Sequence, residues 1–127
     1  EISSLKNVSL YSLQIFDAED EIKNKSPNLD IHIFNKDFDN ESPFIDTAAV
    51  IKNLDLVITI DTSIAHLAGA LGCKTYLLLS DKPHWTWMLD KIDTPWYPSF
   101  RIYRKSKNQD WANIFNKIKT DLAEIKK

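Results

Sequence analysis

The sequence predicts an α/β fold with a mainly parallel sheet and helices on its faces, and three observations carry that expectation. Leu56-Val-Ile-Thr-Ile60 and Thr75-Tyr-Leu-Leu-Leu79 are short, nearly continuous apolar runs, as expected of parallel strands covered on both faces. Between them, Ile64, Leu67, Ala68 and Leu71 recur at i, i+3, i+4 and i+7, the period of an amphipathic helix. A strand, helix, strand order of this kind implies a right-handed crossover and hence parallel pairing.

The remaining elements follow from pattern and punctuation. Val8 to Leu13 alternates apolar and polar residues, and Ile31-His-Ile-Phe34 is apolar and rich in β-branching, so both read as strands. Asp17 to Asn28 is charged and closes on Ser26-Pro27-Asn28, a short helix or loop followed by a turn. After the polar stretch Lys36 to Ser42, Pro43 marks a helix start, and Ile45, Ala48, Ala49, Ile51 and Leu54 continue it. Asp61, Thr62 and Ser63 are three capping side chains in a row at the start of the next helix, which Gly72 ends. Trp111, Ile114, Phe115, Ile118, Leu122 and Ile125 trace one face of a final helix.

Composition narrows the function classes. With 127 residues, 43% apolar and 27% charged, the chain has the profile of one soluble globular domain. No apolar run approaches the roughly 18 to 20 residues that cross a bilayer. A net charge of −2 with interspersed signs leaves no electrostatic footprint for nucleic acid. The single cysteine, Cys73, rules out an intramolecular disulfide and a thiolate-rich zinc site, and a reducing, cytoplasmic setting fits. His32, His66, His84 and Cys73 form no metal-ligand pattern, so no metal is expected. Only Gly69 and Gly72 occur, which excludes a glycine-rich phosphate cradle. The start has neither a secretory leader nor an initiating methionine, as expected of an excised piece.

The functional signal lies where the strand ending at Ile60 gives way to a helix. In an open parallel sheet, ligands bind beyond the carboxyl ends of the strands. Asp61, Thr62 and Ser63 occupy that edge, and the free N–H groups of a helix start attract phosphate. The hydroxyls of Thr62 and Ser63 suit the same oxygens. His66, on a different face from Ile64, Leu67 and Leu71, is placed to offer one hydrogen bond. Asp61 repels phosphate at close range and suits sugar hydroxyls. The plainer alternative is an ordinary capped helix with an exposed histidine in its first turn.

Asp61-Thr-Ser-Ile-Ala-His-Leu-Ala-Gly-Ala-Leu-Gly72 resembles the hallmark segment of the bacterial heptosyltransferase-like glycosyltransferases, family nine, and especially of members linked to tetratricopeptide repeats. Asp46 to Ile58, Leu77-Leu-Leu79, Trp85-Thr-Trp87, Asp93-Thr-Pro-Trp-Tyr-Pro98 and Arg101-Ile-Tyr-Arg104 resemble neighbouring segments of such members, as does Val8 to Gln14. The resemblance implies the C-terminal half of a GT-B enzyme, a Rossmann-like domain that binds a nucleoside diphosphate sugar. This chain would be a fragment of it, 1–127, lacking the first strand of that half and the whole N-terminal acceptor domain. It also implies metal-independent transfer with inversion, a base supplied from the N-terminal domain, and an acceptor glycan, lipid-linked sugar or protein. By resemblance, Asp61, Thr62, Ser63 and His66 fall on the donor motif, with Gln14, Trp85 and Trp87 as further donor contacts. Two departures stand out. Ile15-Phe16 replaces a lysine-glycine pair, and His84 and Thr86 replace an acid and an arginine.

Other readings compete. Trp85, Trp87, Trp96 and Tyr97 suit stacking on a base or sugar ring, but packing of their loop onto the sheet is the favoured reading. Lys91, Arg101 and Arg104 fit either a diphosphate or surface ion pairs. Cys73 has no base partner that would make it a nucleophile. A repeat-linked scaffold without turnover is the alternative to a transferase, and a nucleotide-sugar epimerase is a third possibility, although no acid–base set for it is evident.

Overall fold

A computed structural model describes residues 2, 5–14, 18–25, 28–35 and 37–125. The expectations on Ile15-Phe16 and on the turn at Ser26-Pro27 lie outside these residues. The chain divides into two compact units, 1–47 with 115–127, and 48–114.

In the first unit, β1 (Tyr11–Ser12) pairs in parallel with β2 (His32–Ile33), and α1 (Ala18–Lys25) connects them. Both strands are shorter than the runs that announced them. The ring of Tyr11 stacks on that of His32 at 4.7 Å, so His32 is a cross-strand packing residue.

The helix expected near Pro43 is α2 (Ile45–Asn53), and its start is capped from a distance. The Asp39 carboxylate accepts hydrogen bonds from the backbone N–H of Asp46 (2.8 Å), the backbone N–H of Thr47 (3.1 Å) and the Thr47 hydroxyl. The Asp46 carboxylate accepts in return from the Asp39 N–H at 2.9 Å. This reciprocal arrangement satisfies helix-start donors that would otherwise be orphaned. Desolvation opposes the charged form of Asp39, but the hydrogen bonds from Thr47, Asp46 and Phe44 outweigh it and hold its carboxyl below the ordinary value. Thr47 and Ile51, four residues apart, are the buried positions of α2, whereas Ile45 is exposed. The inward stripe is therefore rotated from the one that counts Ile45.

The second unit holds a three-stranded parallel sheet in the order β3 (Val57–Ile60), β4 (Thr75–Leu79), β5 (Phe100–Arg104). Every residue of β4 is buried, as its central place requires. The expectation that β3 is likewise covered on both faces is corrected, because only Val57 is buried, Ile58 and Thr59 are half-buried, and Ile60 at its end is exposed. Between β3 and β4 runs α3 (Ser63–Ala70), packed on both strands. It ends as expected at Gly72, whose φ of 68° suits glycine. The N–H of Gly72 donates to the Gly69 carbonyl and that of Cys73 to the Ala68 carbonyl, which together make a Schellman motif.

Between β4 and β5 the described chain forms no α-helix. Instead, residues 80–99 cross over as a loop containing a single 3₁₀ turn at Trp85–Trp87. The register pairs Thr75 with Phe100, Leu77 with Ile102 and Leu79 with Arg104, so these side chains share one face of the sheet. Ala65 of α3 together with Leu77, Leu79, Phe100, Ile102 and the loop residue Trp87 forms the core on that face, with Tyr97 packed against it. The indole of Trp87 takes the place of an apolar helix face. The opposite face carries Tyr76 and Tyr103, whose rings lie 5.0 Å apart. The final helix is α4 (Trp111–Ile125), with Ile114 and Ile118 buried at i and i+4.

Candidate functional site

Parallel pairing brings the ends of β3, β4 and β5 to one edge, with Ile60 beside Leu78 and Leu79 beside Arg104 in register. The chain leaves β3 there through Asp61 and Thr62 and turns directly into α3. Thr62 is the N-cap, with extended backbone (φ −142°, ψ 174°), yet its side chain makes no capping hydrogen bond. Its Oγ1 lies instead 3.5 Å from Thr59 Oγ1 and from the Ile60 carbonyl oxygen. Asp61, Thr62 and Ser63 are exposed. The sequence offers three candidate caps, and at the cap position the hydroxyl turns elsewhere. Ala65 N–H donates to the Thr62 carbonyl at 3.0 Å, which satisfies one of the early donors from the backbone.

His66 lies one turn into α3 and is exposed, but it is not a free side chain. Trp87 stacks on its ring at 5.1 Å and 24°, and the Tyr97 hydroxyl lies 3.0 Å from its Nδ1. Tyr97 reaches it by lying against Gly69, three residues further along the helix. The helix face opposite the Ile64 and Leu67 stripe thus receives the aromatic loop.

The two tryptophans named as donor contacts separate. Trp87 has 0% of its surface exposed and presents no face to a ligand, whereas Trp85 is 77% exposed. This refines the expectation: packing claims Trp87, and Trp85 remains open. Trp96 is also exposed and donates its indole N–H to the Thr86 carbonyl at 3.0 Å. His84 and Thr86 bond to each other. His84 Nδ1 lies 2.6 Å from Thr86 Oγ1 and accepts from the Thr86 N–H, capping the 3₁₀ turn. Gln14 belongs to the first unit, where its N–H donates to Ser12 Oγ at 3.3 Å.

Sequence reasoning left Arg104 undecided, and its geometry is specific. Its Nε donates to the Lys91 carbonyl at 3.1 Å and its Nη2 to the Trp87 carbonyl, tying the aromatic loop to the end of β5. Burial pulls its guanidinium below the ordinary value, with Asp90 acting in the opposite sense. Nη1 is buried and has no hydrogen-bond partner among the described residues. Arg101 instead lies over the Tyr103 ring, 5.3 Å from its centre.

Among the described residues, no group of three or more His, Cys, Asp or Glu side chains could hold a metal ion. A depression in the first unit, lined by Asp37, Asn40, Glu41, Ser42, Ile45 and Asp46, has the wrong charge for phosphate. No helix among the described residues is long and apolar enough to cross a membrane.

The chain is 30% identical over 119 residues to Protein FlbA of Caulobacter vibrioides, covering 93% of this chain and 20% of that protein. It therefore spans about a fifth of that relative's length. No family model matches the chain, and no solved structure matches it.

Proposed function

We propose that this chain is the donor-binding part of a GT-B glycosyltransferase of the heptosyltransferase-like type, acting in the cytoplasm on a nucleoside diphosphate sugar. The observation that carries the reading is the start of α3. It lies at the carboxyl edge of a parallel sheet, its N-cap hydroxyl does not cap it, and Ser63 and His66 are exposed beside it. Such a terminus stabilises a leaving diphosphate through N–H groups and side-chain donors without a metal. Arg104, at the end of β5 beside Leu79, adds positive charge near the same edge. Trp85 offers an open ring face for a base or sugar. The resemblance of Asp61 to Gly72 to the family hallmark supplies the reaction class, and the acceptor and catalytic base belong to the N-terminal domain of such enzymes.

Calorimetric titration of the intact protein with a panel of nucleoside diphosphates and their sugars, repeated with Thr62→Ala and His66→Ala, tests the reading. Saturable binding that each substitution weakens by roughly tenfold, about one charge-assisted hydrogen bond, is expected. A folded protein that binds no member of the panel sinks the donor assignment.

One observation favours the scaffold alternative. Trp85, Met88, Leu89, Ile92 and Trp96 are exposed apolar side chains within one loop, the composition of a protein-binding surface. Failure of the titration would move that reading to first place.

A further inference from the structure

The His66 imidazole is gripped by the loop that follows β4. Trp87 covers its face, and Tyr97 reaches its Nδ1 at 3.0 Å. Tyr97 is itself held in place: its ring lies against the Gly69 backbone and packs beside Phe100 at 5.0 Å and Trp87 at 6.2 Å. Its hydroxyl is thus presented from a packed ring. A neutral imidazole has one ring nitrogen that donates and one that accepts, and a partner on one of them decides the role of the other. A phenol hydroxyl is the better donor of this pair and an imidazole lone pair the better acceptor. The contact is therefore best satisfied with Tyr97 O–H donating to Nδ1, which leaves the ring proton on Nε2.

We propose that Tyr97 is the positioning residue for His66, fixing the tautomer in which Nε2–H is a hydrogen-bond donor rather than a base. The ligand of that donor, an oxygen of a nucleoside diphosphate, rests on the functional reading above, whereas the tautomer does not. Gly69 serves the same end, because its missing side chain lets the Tyr97 ring come close enough to hold the imidazole. The loop that completes the core thereby also sets the chemistry of an exposed histidine.

The test compares the intact protein with its Tyr97→Phe variant, which keeps the packed ring and removes only the hydroxyl. Histidine-selective ¹⁵N NMR, at a pH where imidazole is neutral and with His66→Ala to assign the signal, reads the tautomer directly. Calorimetry with ADP, GDP, UDP and CDP reads the consequence. The wild type is expected to hold His66 with a protonated Nε2. Tyr97→Phe should admit the Nδ1–H form and weaken diphosphate binding about three- to tenfold, with an unchanged far-ultraviolet spectrum. A wild-type proton on Nδ1, or a tautomer unmoved by Tyr97→Phe, overturns the proposal. If the tautomer shifts as expected while the wild type binds no diphosphate, the positioning role stands and the donor reading fails.

Discussion

Gly69 and Tyr97 are in direct backbone-to-ring contact: a β-carbon at Gly69 would fall within 2.8 Å of three ring carbons of Tyr97, Cγ among them. That is well inside van der Waals separation, and the atoms it would meet belong to a ring packed on its other sides.

Gly69→Ala therefore sets two effects against each other. Alanine gains about 1 kcal/mol over glycine inside a helix. Displacing the Tyr97 ring costs about 1–3 kcal/mol in the manner of overpacking. Net destabilisation in a urea melt is expected, together with loss of the His66 to Tyr97 contact. A variant more stable than wild type would show that the ring moves aside without penalty.

Trp87→Ala should be among the most damaging single substitutions in the second unit. It empties a fully buried indole site in the core, at a cost of about 3–5 kcal/mol. Trp85→Ala, two residues away and exposed, should stay within about 0.5 kcal/mol of wild type in the same melts. Equal losses at the two positions would contradict the packing described for this loop.

Thr62→Ala should leave stability almost unchanged, within about 0.5 kcal/mol, although Thr62 occupies an N-cap. A hydroxyl engaged in capping costs about 0.5–2 kcal/mol when removed, but here it makes no such bond. A loss above about 1 kcal/mol would mean that the hydroxyl caps α3 in solution, and ligand binding would then no longer be its distinguishing role.

Asp39→Ala removes the external cap of α2, and a loss of about 1 kcal/mol is expected. The same contact gives a pH signature. The folded carboxyl lies below its ordinary value, so its contribution is complete above the unfolded-state pKa of about 4 and is lost as pH falls through the lower folded value. Wild type and Asp39→Ala should therefore converge in stability under acid and differ most near neutrality. A gap that stays constant down to acid pH would disprove the assignment.

The parts of this fold that were legible in sequence are those decided by near neighbours. Four apolar residues in a row after Thr75 announce the central strand, and Gly72 announces the end of α3, because chain direction and a left-handed φ are local requirements. Other features depend on residues distant in sequence. The cap of α2 comes from Asp39, seven residues before Asp46, and no capping rule applied at Pro43 finds it. Phe100–Arg104 carries a strand signal in Phe100, Ile102 and Tyr103, but its aromatic surroundings read more readily as a loop. Within the candidate site, the positions of Asp61, Thr62 and Ser63 at the strand edge were readable. The burial of Trp87 and the bond from Tyr97 to His66 were not, because they arise only when a long connection folds back on the helix.

That connection also bears on how the second unit assembles in time. A helix shortens the span between β3 and β4 as it forms, whereas nothing comparable contracts residues 80–99 before β5 pairs with β4. Loop closure must be completed before that pairing is rewarded, which places the docking of Trp87 late on the folding route. Conservative substitutions at Trp87, such as Trp87→Phe, should then accelerate unfolding in stopped-flow experiments while leaving the refolding rate nearly unchanged. Truncations within the Ala65 to Leu77 half should slow refolding instead. The loop that grips His66 would be the last part of the unit to settle and the first to leave.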